Sequence, residues 1–373
     1  MLQTSGMQSR REMTPPGMVN EIAFVEPATA NPGLAPWRVS EFHFPYYGDA
    51  TEKLAYCLRY AILAPSSHNT QPWRLALRDN RIELYADRAR RLPVIDPEDR
   101  ELIISCGAAL ANLCVAIRHF GHEDDVVLSP QPNDADLVAT IGLGREHKPT
   151  CHEENLFKAI TTRRTNRSAY EDTPISLSLR CELHTACKSQ GVWLAETSDV
   201  EQKRAITKLV TEGDRRQMAS AEFRAELADW IRPATTESHD GMPCYAQNIP
   251  KVLDFAVPIV ARVIRTFDMG NFTAARDADL ANASAVLAVL STQTDSPADW
   301  LATGVALEHV LLNARAAGVW ASFLNQPIEI PELRSALSEL SGCRGTPQIL
   351  LRMGYGRECE PTPRRDVDEV LSN

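Results

Sequence analysis

The strongest constraint on this chain is that part of it occurs twice. The run Gly107-Ala-Ala-Leu-Ala-Asn-Leu-Cys-Val-Ala-Ile-Arg-His-Phe-Gly121 aligns with Gly304-Val-Ala-Leu-Glu-His-Val-Leu-Leu-Asn-Ala-Arg-Ala-Ala-Gly318. The pairs Gly107/Gly304, Ala109/Ala306, Leu110/Leu307, Arg118/Arg315 and Gly121/Gly318 are identical. A strand-like run follows each helix-like run and ends in Gly-x-Gly-Arg, at Gly142 to Arg145 and at Gly354 to Arg357. Upstream, Leu58-Arg59 before Trp73 is matched by Leu179-Arg180 before Trp193. Three matching features in the same order predict two copies of one α+β unit, about 50–150 and about 155–360, the second carrying on to the end at 373.

The copies differ in length and in local chemistry. About 110 residues separate Trp193 from Gly304, against about 34 between Trp73 and Gly107. The extra segment, about 196–275, holds a charged helix-prone run from Val200 to Trp230. Turn formers follow at 237–243, and then an apolar stretch from Val252 to Val263. An insertion of this size in one copy is expected to act as a lid or an arm. Residues 1–49 lack periodicity and read as an irregular arm that docks through Phe42, Phe44, Tyr46 and Tyr47.

Within copy one, a helix is expected from about Ala50 to Leu63 with Thr51 as N-cap. The strands 74–78 and 81–86 follow, joined by a tight turn at Asp79-Asn80. Asp96-Pro97 is expected to open the long helix, aspartate capping and proline in the first turn, and a strand is expected at about 136–142.

The segment Ala64-Pro65-Ser66-Ser67-His68-Asn69-Thr70-Gln71-Pro72-Trp73 lies between the first helix and the first strand. Pro65 ends the helix and Pro72 keeps the exit extended. Two serines, an asparagine and a glutamine between them offer hydroxyl and amide donors and acceptors, with no charge unless His68 is protonated. Such a loop suits a flat heterocycle better than a phosphate or a metal. The equivalent stretch of copy two, Ala186-Cys-Lys-Ser-Gln-Gly-Val-Trp193, has none of this. Copy two instead has Arg163-Arg164-Thr165-Asn166-Arg167 ahead of its first helix, and the comparable region of copy one, about 36–55, holds only Arg38 and Lys53. Guanidinium groups in such a cluster can grip a phosphate bidentately. Each copy has kept half of a site.

The loop resembles the flavin loop of the nitroreductase family, and the fused pair of copies resembles its Acg-like branch. Arg163 to Arg167 is similar to the Arg-Arg-Ser-x-Arg phosphate signature of that family, with Thr165 keeping the hydroxyl. The resemblance implies two nitroreductase-like repeats in one chain that mimic the family's dimer, with mixed sheets flanked by helices. It implies FMN as cofactor, with Pro65, Ser66, Ser67, Asn69 and Gln71 on the isoalloxazine side and Arg163, Arg164, Thr165 and Arg167 on the phosphate side. Ser322 lies in Ala321-Ser322-Phe323, which matches the segment beside the ring, and Arg357 matches a C-terminal basic ligand. The implied activity is NAD(P)H-dependent reduction of a small electron acceptor, nitroaromatic or quinone-like. In that chemistry hydride reaches flavin N5 and no protein acid or base is required. The alternative is a catalytically silent protein that holds flavin beneath its lid. Because only one combination of loop and arginines is complete, one FMN per chain is expected, a monomer suffices for that site, and any further dimerisation serves another purpose.

Other classes find little support. The net charge of −10 and pI near 5.5 argue against a nucleic-acid or anionic-membrane binder. The nine cysteines include no Cys-x-x-Cys pair and read as free thiols in a reducing compartment. No stretch has the run of apolar residues a membrane span needs, and Arg10-Arg11 has no apolar segment behind it, so a cytoplasmic location is expected. His119-x-x-His122 lacks a third ligand and is expected to mark a helix end rather than a metal. The Rossmann, P-loop and serine-hydrolase motifs are absent.

Overall fold

The computed structural model describes residues 31–129, 133–233, 237–247 and 257–372. The first thirty residues of the expected arm and the start of the apolar stretch at 252–263 lie outside them. Copy one comprises α1 (Ala50–Ala61), β1 (Trp73–Arg78), β2 (Arg81–Ala86), α2 (Arg100–His119), β3 (His122–Leu128) and β4 (Leu137–Glu146). Helix α3 (Cys151–Ile160) precedes the arginine cluster. Copy two contains α4 (Leu177–Ser189) and β5 (Trp193–Thr197). The insertion supplies α5 (Val200–Ala219), α6 (Ala221–Asp229), the two-residue strands β6 (Ile231–Arg232) and β7 (Met242–Pro243), α7 (Val257–Thr266) and α8 (Gly270–Asn282). Copy two resumes with β8 (Val286–Thr292), α9 (Pro297–Ala316), β9 (Trp320–Phe323), α10 (Pro331–Ser341), β10 (Thr346–Gly354) and the short α11 (Val367–Val370).

The repeat is visible in the topology. One four-stranded sheet runs β1-β2-β4-β3 and the other β5-β8-β10-β9. In both, the first two strands of the copy are neighbours and the last strand lies between the second and the third, all antiparallel. Parallel pairing enters at edge strands. Leu371 from the C-terminal segment bridges Leu75 on β1, and Thr165 bridges Ala321 on β9. The C-terminal end of copy two therefore adds to the edge of copy one's sheet.

Helices α2 and α9 pack against each other at the centre, and one contiguous apolar core runs through both copies. The closest approach is at the repeated glycines. A Cβ on Gly107 would stand 2.4 Å from the Leu301 carbonyl oxygen, and one on Gly304 would stand 2.0 Å from that of Ile104. Ile104 and Leu301 are themselves equivalent positions, so the contact is reciprocal, as at a two-fold axis. Gly121 and Gly318 both take positive φ, 92° and 78°, just beyond the two helices, where a side chain would be strained. Helix α2 is long and apolar enough to cross a membrane, but it is buried between α9 and the sheet, which accounts for its apolar circumference.

Several local expectations shift. Asp49, not Thr51, caps α1 through a capping box with Glu52, because the Thr51 hydroxyl is turned to Asn80 Oδ1 at 2.8 Å. The turn residues Asp79 and Asn80 take φ of 50° and 57°, the conformation a two-residue hairpin needs. Helix α2 starts at Arg100, after a turn that puts Asp99 at φ 60°. Asp96 still serves the helix end by accepting from Leu102 N–H at 2.9 Å. Strand β4 extends past the expected end at 142, carrying Arg145 to an exposed pairing with Glu123. Of the four aromatics expected to dock the arm, only Phe44 is buried, stacked on Phe120 at 3.9 Å; Phe42, Tyr46 and Tyr47 are exposed.

Gly304→Ala is expected to destabilise the protein by about 3 kcal/mol, the upper end for an overpacked core, because the added methyl meets backbone rather than a movable side chain. Urea unfolding followed by circular dichroism measures this, and an unchanged midpoint would show that the crossing tolerates separation.

Candidate functional site

The loop after α1 is held in an unusual conformation. His68, Asn69 and Gln71 have φ of 51°, 57° and 51°, three non-glycine residues in the left-handed region within four positions. Strain of this kind costs about 1–3 kcal/mol per residue and persists only where surroundings impose it. Ser66 Oγ accepts from Gln71 N–H at 2.8 Å and closes the loop on itself. Ser67 donates to the buried carboxylate of Glu101 on α2. Asn69 is buried; its amide donates to the carbonyls of Gly241 at 2.9 Å and Pro363 at 3.0 Å, and its Oδ1 accepts from Arg364 at 2.7 Å. Gln71, fully buried, donates to the His239 carbonyl and accepts from Arg365 N–H, both at 2.8 Å.

The copy-two arginines come to this loop. Arg163 is buried and donates to the Leu63 carbonyl at 3.0 Å, the last turn of copy one before the loop. Arg164 lies over the ring of Trp37, 3.7 Å from its centre, and Arg364 lies over the same ring at 4.8 Å. Arg167 donates to the Ala246 carbonyl at 3.3 Å. Pro65, Ser66, Asn69, Arg163, Arg164, Thr165 and Arg167 line a single pocket with Met242, Glu360, Thr362 and Arg364. Seven of the residues singled out in the sequence therefore meet in one place. Ser67 and Gln71 are not among the pocket-lining residues, and their side chains are engaged as above. Ser322 is buried on β9 beside Ala321, whose bridge to Thr165 ties that strand to the arginine segment. Arg357 is exposed and lies outside the pocket, and its backbone carbonyl accepts from the Asn166 amide at 2.8 Å. The C-terminal cation that does line the pocket is Arg364.

The pocket is electrically lopsided. Four arginines line it, against the exposed carboxylate of Glu360 and the buried carboxylate of Glu308 behind Arg163. Burial drives the Arg164 guanidinium down to about 9, with Arg163 beside it adding to the fall. Arg364 is also pushed well below its ordinary value, by burial and then by Arg163 and Arg164. Arginine does not give up its proton in proteins, so this pressure measures cations short of counter-charge rather than neutral side chains. The Nε atoms of Arg163 and Arg364 are buried without a hydrogen-bond partner among the described residues. His68 Nε2 is likewise buried with no partner among the described residues, and burial followed by Arg167 lowers its pKa to about 4, so the ring is neutral.

A phosphate fits this donor set, and the cavity of about 40 Å³ offers room on that scale. A tricyclic ring needs several times more space. The amides of Asn69 and Gln71 are bonded instead to backbone groups of the insertion, at 239 and 241, and of the C-terminal segment, at 363 and 365. In copy two the equivalent of the loop is a tight turn at 190–192, with Gly191 at φ 71° and no heavy atom within 4 Å of a built Cβ.

Fold and site together define a fused pair of α+β repeats with an arginine-lined pocket between them. Comparison with known proteins agrees with that class. The chain is 34% identical over 334 residues to "Putative NAD(P)H nitroreductase Rv3131" of Mycobacterium tuberculosis, covering 88% of this chain and 92% of that one. It is 30% identical over 329 residues to "Putative NAD(P)H nitroreductase acg" of the same organism, covering 86% and 96%. "Uncharacterized protein Rv3127", also from that organism, is 32% identical over 322 residues, covering 83% and 90%. Superposition on the solved nitroreductase NfnB gives a TM-score of 0.38 at 16% identity, over 58% of this chain and 97% of that one. No family model matches. The chain belongs to the NAD(P)H nitroreductase family, with Acg among its relatives.

Asn69→Ala is expected to destabilise the protein by about 2–4 kcal/mol, since it leaves the buried Arg364 without its amide acceptor and removes a residue type that tolerates positive φ. Denaturant unfolding checks this; a loss under 0.5 kcal/mol would mean that the amide does not hold the two covering segments.

Proposed function

We propose that this protein is an FMN-dependent oxidoreductase with one cofactor site per chain, formed by the copy-one loop and the copy-two arginines. The observation that supports it is that the two half-sites, read from separate repeats, line the same pocket. FMN, when bound, supplies two-electron chemistry between NAD(P)H and a nitroaromatic or quinone-like acceptor. Arg163, Arg164, Arg167 and Arg364 hold the phosphate, with the Thr165 hydroxyl as a further donor. Arg364 takes the part that the resemblance gave to Arg357. Pro65, Ser66, Ser67, Asn69 and Gln71 face the ring, Ser67 oriented by Glu101, and β9 with Ser322 backs the arginine segment. Admitting the ring requires segment 237–247 or 360–365 to yield its hydrogen bonds to Asn69 and Gln71, so those segments govern access.

The relatives' names support an oxidoreductase over a silent flavin holder. A single chain has all the pieces of the site, and a second chain is not needed for cofactor binding. Steady-state oxidation of NADH and NADPH with menadione or nitrofurazone by flavin-loaded protein tests the reading, and absence of turnover with every donor and acceptor pair would refute it. Arg163→Ala and Arg167→Ala are expected to weaken FMN binding by roughly 2–5 kcal/mol, with Arg163→Lys recovering only part, because an ammonium does not replace the planar fork. Flavin absorbance after dialysis reads the effect, and full retention in either alanine variant would contradict the assignment.

A further inference from the structure

Glu308 stands behind the arginines and has no role in the chemistry above. It is on α9 one turn beyond Gly304, at the seam between the copies, and is 0% exposed. Neither carboxylate oxygen completes a hydrogen bond among the described residues. The nearest cation is Arg163, whose Nε stands 3.4 Å from the carboxylate as an ion pair without completing a hydrogen bond. The other groups acting on Glu308 are the Arg364 guanidinium from the C-terminal segment and the Asn112 amide from α2. That set contains no second carboxylate and no histidine. A fully buried carboxylate is costly unless well paired, and here the charges that sustain it are Arg163 and Arg364. Both also line the pocket.

We propose that Glu308 is the arginine cluster's built-in counter-charge, and that it takes up a proton from solvent when a phosphate dianion enters the pocket. This rests on reading the pocket as a phosphate site. The dianion draws on the two guanidiniums that hold Glu308 ionised and repels its carboxylate through low-dielectric protein. The carboxylate then becomes a carboxylic acid, and the site gains two negative charges from the ligand and one positive charge from the proton. Burial already raises the Glu308 carboxyl to about 7 with Arg163 and Arg364 beside it, so the added negative potential acts on a group poised near neutrality. Below that pH the carboxyl is protonated before the ligand arrives and the coupling vanishes. Above it, binding requires uptake, and affinity falls with rising pH at a rate approaching tenfold per unit. The second ionisation of a phosphate monoester, near pH 6, is complete in that window and does not mask the effect.

Calorimetric titration of FMN into the full chain at about pH 8, in HEPES and in Tris, counts the protons from the difference in buffer ionisation heat. Wild-type protein is expected to take up a substantial fraction of one proton, and Glu308→Gln none. Equal heats in the two buffers for wild type, or uptake retained in Glu308→Gln, would overturn the proposal. Sulfate, a dianion with no titrating proton in this range, is the second probe. Its thermal stabilisation of wild type is expected to weaken from about pH 7 to about pH 8.5, and that of Glu308→Gln to stay level. Sulfate behaving so while FMN fails to bind would refute the flavin reading and uphold the coupling. FMN and sulfate both binding wild type independently of pH would refute the coupling and leave the flavin reading standing.

Discussion

The structure depends on the crossing of two helices at a pair of glycines. With backbone against backbone at Gly107 and Gly304, α2 and α9 approach more closely than any pair of side chains allows, and both are enclosed by the core that the copies share. The reciprocal contacts, Gly107 with Leu301 and Gly304 with Ile104, set the relation between copies, and that relation determines which loop of one copy meets which segment of the other. Arg163 reaches the Leu63 carbonyl across this seam. Glu308 lies one turn along α9 from the same glycine. The position of the pocket therefore follows from the helix crossing.

Fusing two copies frees each to lose what the other keeps. In copy one the connection from helix to strand spans 62–72 and is strained into a polar loop; in copy two it is the turn 190–192. The arginine segment sits only ahead of copy two. The concentration of buried positive charge that results is unfavourable by itself. It is moderated by Trp37, whose ring stacks with two guanidiniums, by Glu308, and by the polar groups of the C-terminal segment. The insertion and that segment complete the hydrogen bonds of Asn69 and Gln71, which ties both to the stability of the loop. Membership of the NAD(P)H nitroreductase family rests on the full-length relatives.

The repeat was legible because glycines at a backbone contact, and glycines with positive φ beyond a helix, cannot easily change identity. The hairpin at Asp79-Asn80 and the two segments that meet at the pocket were legible for a similar reason: turn chemistry and charge clustering are local. What escaped depended on tertiary contacts. Strand β3, with His122, Glu123, Asp124 and Asp125 at its start, lacks the alternation that marks a strand and forms because β4 offers an edge. Asp96 was read as the cap one turn early, since the Asp99 turn that delays the helix has no sequence signature. Arg357 drew attention through the repeated Gly-x-Gly-Arg, whereas Arg364 lies in Pro361-Thr-Pro-Arg-Arg365, which has no counterpart in copy one. Trp37 and Glu308 look ordinary in sequence, and only the packing shows that one stacks on two arginines and the other is sealed behind them.

The central claim is that two diverged halves make one complete cofactor site. Native mass spectrometry of the intact 373-residue chain after saturation with FMN and removal of free flavin tests it directly. The account predicts a single FMN on a single chain, with no second flavin held at saturation. Two flavins on one chain, or flavin retained only by a dimer, would contradict it.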